Sequence, residues 1–135
     1  MKMWKKNWLG LVLVFAMIFG VMSASTTEAA SRTYNLASMG KNRQITFTVT
    51  YKGSIFKKNY WFKVINRGNG ASANVFVYRK LAAGGNQYLT NINGGHEQTW
   101  SGQANRKFSE TYIVNMNGGG KAEITVETSD NLSIS

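Results

Sequence analysis

The sequence contains no cysteine and no proline, a single histidine, and six acidic residues against sixteen Lys and Arg. Each shortage excludes something. Without cysteine there is no disulfide, no thiolate metal site and no lipid-modified N-terminal cysteine. A secreted small domain would then have to stand on its hydrophobic core alone, a pattern that leans toward a bacterial exporter. Without proline, the turning falls to Gly and Asn, and the chain has 14 glycines. With His96 as the lone histidine, a His-based metal site has no second ligand. A general base at His96, beside Glu97 in NGGHEQTW, would have no partner that the sequence marks. The loop ETSDN (127–131) offers too few oxygen ligands for a calcium site. The Gly-rich segments lack the Lys-Ser/Thr ending of a phosphate cradle. No cofactor, metal or catalytic residue is therefore assigned, and the reading is of a non-enzyme.

Long hydrophobic runs are scarce too. The one uncharged apolar stretch, LGLVLVFAMIFGVM (9–22), is about 14 residues, short of the roughly 20 that a spanning helix requires. It follows the basic segment MKMWKKNW and precedes the small-residue stretch SASTTEAAS. That order is the order of a secretory signal peptide. The expectation is a cleaved signal over residues 1–30, with the cut between 24 and 30, and one domain over 31–135. An uncleaved membrane anchor is the alternative. The protein is thus expected to be secreted, and associated with the cell wall if it is retained there.

Basic charge survives removal of the leader. From Ser31 onward thirteen Lys and Arg stand against five Asp and Glu, a net of +8. A domain so charged attracts anionic polymers and surfaces in a salt-dependent way. It also gains solubility, which is the plainer use of the same charge.

The patterning is that of strands. QITFTVTY sets Ile45, Phe47, Val49 and Tyr51 on one face and Gln44, Thr46, Thr48 and Thr50 on the other, the period of two of a half-buried strand. KAEITVET repeats it, with Ala122, Ile124 and Val126 inward. KFSETYIVNM puts Phe108, Tyr112, Val114 and Met116 together. ANVFVYRK is apolar on both faces around Val75 to Tyr78, as an interior strand is. TYNLAS, YWFKVINR, NQYLTNI and EQTWSG complete about eight strands. RGNGAS, AAGGN, NGGH and NGGGK punctuate them, read as turns in which glycine supplies positive φ angles. Two segments, FKVINRGNGASANVFV and YIVNMNGGGKAEITV, look loosely alike as hairpins about 50 residues apart, through duplication or because any hairpin has that pattern. The predicted fold is an antiparallel β-sandwich, jelly-roll-like or immunoglobulin-like. A small closed barrel is the alternative.

Candidate ligand contacts centre on FKKNYWFKVINRGNG (56–70), with four aromatics and four Lys/Arg. With Tyr60, Phe62 and Val64 inward, the period of two places Trp61, Lys63 and Arg67 on the opposite face, and Lys57 and Lys58 just upstream. An aromatic flanked by cations suits stacking on a ring that bears acid groups. Trp100, read as the rim of a loop that continues to Arg106 and Lys107, forms a second candidate. The function expected is a cationic, non-catalytic binding module. Its partners would be anionic polysaccharide, cell-wall polymer or an anionic membrane surface, and no motif for specific nucleic-acid recognition is present. Two other classes stay open. One is a toxin or antimicrobial protein inserting the hairpin ANVFVYRKLAAGG into anionic membranes, and the other is a small hydrolase or enzyme inhibitor.

Overall fold

A computed structural model describes residues 29–53, 56 and 58–135. Residues 1–28, most of the expected signal over 1–30, lie outside the described residues, as do Ser54, Ile55 and Lys57. Nine strands are present: β1 Ser31–Ala37, β2 Gln44–Tyr51, β3 Asn59–Asn66, β4 Val75–Lys80, β5 Asn86–Ile92, β6 Glu97–Gln103, β7 Phe108–Met116, β8 Lys121–Thr128 and β9 Leu132–Ile134. Short 3-10 turns cover Gly40–Arg43 and Ala71–Ala73.

The strands form two antiparallel sheets, ordered β1-β8-β3-β6 and β9-β2-β7-β4-β5, which are not closed into a barrel. Pairing follows one rule: β1 with β8, β2 with β7, β3 with β6, and β4 with β5. The chain is in effect one long hairpin, bent at the β4–β5 turn and wound so that successive strands alternate between sheets. That is the jelly-roll form of the sandwich. β9 extends the second sheet beside β2, pairing Leu132 with Tyr51 and Ile134 with Val49.

Alternation built the core. Phe47 and Val49 from β2, Val64 from β3, Val75 and Val77 from β4, Val114 and Met116 from β7, and Ile124 and Val126 from β8 are all buried. Each such side chain contributes about 1.5–3 kcal/mol by leaving water. Aromatics thread the layer, Phe47 stacking on Tyr112 at 5.5 Å and Phe62 meeting Tyr112 at 4.9 Å. β4 lies between β7 and β5, in accord with its two apolar faces.

Three expectations are corrected. The two hairpin-like segments are not hairpins: β3 and β4 lie in different sheets, and so do β7 and β8. Both segments are crossings, and the resemblance reflects what any crossing between apolar strands requires. A ninth strand, β9, adds to the eight expected, and its three residues are too few to display a period. Finally, positive φ accounts for only some of these glycines: Gly70, Gly84, Gly85 and Gly95 adopt it, whereas Gly94, Gly118 and Gly120 permit close backbone approach. A Cβ on Gly94 would fall 2.7 Å from the Gly70 carbonyl oxygen, and one on Gly118 would collide with the Ser72 carbonyl.

Those contacts knit three crossings into one end of the sandwich. Asn66, fully buried at the end of β3, is the pin. Its Nδ2 donates to the carbonyls of Ala73 (2.6 Å) and Ile92 (2.9 Å), and its Oδ1 accepts from the Gly68 amide (2.9 Å). The Gly120 amide donates to Ser72 (2.8 Å) and the Gly94 amide to Gly70 (3.1 Å). A buried amide making three hydrogen bonds is satisfied rather than costly.

Candidate functional site

The outer face of the four-stranded sheet carries Trp61, Lys63 and Arg67, three of the residues that the sequence singled out. Trp61 is 36% exposed, on the side of β3 opposite Phe62 and Val64. Lys63 lies beside it, its Nζ 5.8 Å from the Trp61 ring centroid. Neighbouring strands change the electrostatics, however. The Lys63 Nζ is 3.5 Å from Glu97 on β6 and 3.8 Å from Glu127 on β8. Arg67 donates through Nε to the Thr125 hydroxyl at 3.0 Å, and Thr125 in turn meets Thr33 at 3.2 Å. The register places Glu123 and Lys121 on this same face. Lys63, Arg67 and Lys121 are therefore matched by Glu97, Glu123 and Glu127, and the face is neutral. The excess charge of the domain lies elsewhere.

Trp100 is not on this face. It sits in the middle of β6, directly opposite Phe62, and stacks on that ring at 5.1 Å, half-buried against the core. Reading TWSGQANRK as a loop rim placed it too far toward Arg106; the strand runs on to Gln103.

Arg106 and Lys107, in the β6–β7 turn, instead meet Lys58 at the end of the sandwich remote from Asn66. Together with Tyr51, Gly53, Ala104 and Asn105 they line a cavity of about 230 Å3. The backbone holds the two sides together, the Ala104 amide donating to the Lys58 carbonyl at 3.0 Å. Tyr51 forms the aromatic wall and stacks parallel to Phe108 at 5.7 Å. Gly53 lies against the Tyr51 ring, where any Cβ would collide. Among the described residues no carboxylate pairs with Lys58, Arg106 or Lys107. Three cations around a small cleft can hold an anionic group by charge, with the buried Tyr51 ring as part of its fixed base. Tyr51 itself is core, 3% exposed, as the alternation of β2 assigned it.

His96 is exposed in the turn before β6, its Nδ1 3.3 Å from the Gly94 carbonyl oxygen. Glu97 beside it is engaged with Lys63. Among the described residues no three His, Cys, Asp or Glu side chains gather as metal ligands. No helix of the described residues is long and apolar enough to cross a membrane. In the hairpin β4–β5, Val75 and Val77 are fully buried in the core.

No protein-family model matches the chain, and no curated protein matches its sequence. Among solved structures, the Yersinia pseudotuberculosis-derived mitogen is similar at a TM-score of 0.44 and 8% identity, over 76% of this chain and 86% of that one. Likeness at that distance says nothing of what this chain binds.

Proposed function

We propose that the protein is a non-catalytic cationic module that binds anionic polymers of a cell surface or matrix, with the Lys58–Arg106–Lys107 cleft as its principal grip. The observation that carries this reading is the separation of charge. The Trp61 face balances its three cations with three carboxylates, so the net +8 from Ser31 onward resides off that face. Three of the excess cations converge on one cleft without acidic partners among the described residues. Clustered unpaired charge raises the local concentration of a polyanion far more than the same charge dispersed. Trp61 and Lys63 contribute less here, because an incoming anion at Lys63 must compete with two carboxylates.

The test is chromatography on immobilised heparin as the polyanion. The protein should be retained at low salt and elute below roughly 0.5 M, where charges are screened within about 4 Å. Lys58→Glu with Arg106→Glu and Lys107→Glu should abolish retention. Arg32→Glu with Lys41→Glu and Lys80→Glu makes the same change in net charge elsewhere and should leave substantial retention. Equal loss in both triple variants would reduce the interaction to net charge and remove the cleft from it.

A further inference from the structure

At the opposite end of the molecule from the cationic cleft lies a larger cavity, about 690 Å3, within the roughly 300–1,000 Å3 of small-ligand sites. Its floor is the outer face of β1 and β8 and the residue that follows β3, bearing Asn35, Glu123, Lys121 and Arg67. Two loops wall it: Asn42 stands in the 3-10 turn between β1 and β2, and Asn69 and Ser72 in the crossing from β3 to β4.

These walls are held before any ligand arrives. The β3–β4 crossing is pinned from beneath by Asn66 and from the side by the Gly120 amide on the Ser72 carbonyl. Within it the Ser72 hydroxyl donates to the Asn69 carbonyl at 3.2 Å. On the other side, Arg43 donates through Nη1 to the Ser38 carbonyl at 2.7 Å, and the Ser38 amide donates to Gly120 at 3.1 Å. A pre-organised cavity spends little binding free energy on its own ordering.

The chemistry of the lining selects the ligand. Three primary amides each offer both donors and acceptors. Glu123 is an acceptor only, while Arg67 and Lys121 are donors only. A phosphate or sulfate, with acceptors alone, would face Glu123 and the amide oxygens unpaired. A sugar hydroxyl both donates and accepts and can satisfy every one of these groups. Glu97 and Glu127 of this face lie at Lys63, outside the lining, so within the cavity two cations against one carboxylate leave one positive charge in excess. We infer that this cavity is a second binding site, for a short segment of acidic glycan of the uronic-acid type, its hydroxyls held by the amides and Glu123 and its carboxylate by Arg67 and Lys121. No aromatic side chain lines the cavity, so affinity for a single short segment is weak and comes from hydrogen bonding. The inference does not depend on the cleft at the other end.

The experiment is a nitrogen-15 amide titration of the labelled protein with trigalacturonate, a hyaluronan tetrasaccharide and neutral maltotriose. At least one of the two acidic oligosaccharides should shift the Gly68, Asn69, Ser72 and Lys121 amides saturably. Maltotriose should bind about tenfold more weakly, the worth of one charge-assisted hydrogen bond. Arg67→Gln should lower affinity about tenfold for the same reason. The double change Asn42→Ala with Asn69→Ala, at exposed loop side chains, should weaken binding without altering the fold. The Lys58/Arg106/Lys107→Glu variant should retain the response, whatever becomes of heparin binding. Four results would each overturn the inference: no saturable shift with either acidic glycan, shifts confined to residues around Lys58 and Arg106, equal binding of maltotriose, or an unchanged response in the Asn42/Asn69 variant.

Discussion

Asn66 shows how much one side chain can hold. It has no exposed surface, and two carbonyls and one amide depend on it. Asn66→Ala would strand these groups away from water and should lower stability by about 3 kcal/mol, since each unpaired buried group costs on the order of 1–3. Asn66→Asp should be worse at neutral pH, because a carboxylate has no N–H to give the Ala73 and Ile92 carbonyls, and milder in acid. Urea unfolding at two pH values checks both. In the sequence Asn66 is only the polar end of the strand YWFKVINR, because nothing local distinguishes a buried amide from a solvated one. Tyr112 makes the second case. Burial, reinforced by the nearby Glu110 carboxylate and opposed by Arg79, pushes its hydroxyl up from 10.0 to about 12. A folded pKa above the unfolded one means that the neutral phenol is favoured in the fold. Its contribution is complete below pH 10 and disappears as pH rises through about 12. One of the six tyrosines should therefore ionise late in an absorbance titration of the folded protein. Tyr112→Phe should remove that late step and lessen the fall in stability above pH 10.

At the scale of elements, period two was a dependable guide where one face meets the core. β2 and β8 turn to the core the residues that alternation assigned to them, with Ile45 at the start of β2 partly buried. Thr125 departs from the pattern: it is outward yet only 5% exposed, because β8 lies between β1 and β3 and both Thr33 and Arg67 close over it. Trp100 departs for a related reason. EQTWSGQ has one apolar side among polar neighbours, and only pairing with Phe62 decides which way the tryptophan faces. The crossings are the least legible elements, since a Gly-rich link looks alike whether it returns within a sheet or changes sheets. Their glycines can be told apart by contact. Gly118→Ala should lower stability by about 1–3 kcal/mol, as overpacking against fixed backbone does, because its Cβ meets the Ser72 carbonyl. Gly119→Ala, with open space around the new methyl, should be neutral or slightly stabilising. Thermal melts of the two single variants separate packing from turn flexibility.

For the whole molecule, the sandwich sets its two described cavities at opposite ends. One end of the sheet face floors the amide-rich cavity, and the cationic cleft lies at the other end, the two set apart by the length of the strands. This arrangement bears on the membrane reading. The valines that a membrane-inserting β4–β5 hairpin would offer are fully buried between the sheets. Insertion would require exposing that core, at about 1.5–3 kcal/mol for each large side chain. Vesicles rich in anionic lipid should therefore bind the protein at low salt and retain an entrapped dye at high protein concentration. Dye release by the folded protein would favour a toxin over a binding module.

What the sequence by itself determined is local: the strands, the inward face of most of them, the absence of disulfides and the basic excess. Alternation and composition act over a few residues, so they survive without knowledge of the fold. Tertiary structure decided what depends on distant neighbours. β1 meets β8 across some ninety residues, and Lys63 acquires carboxylates from two other strands. Lys58 joins Arg106 and Lys107 only because the jelly-roll winding brings two loops to one end. Charge in a site is a sum over space, and pairing rather than spacing along the chain sets which charges are summed.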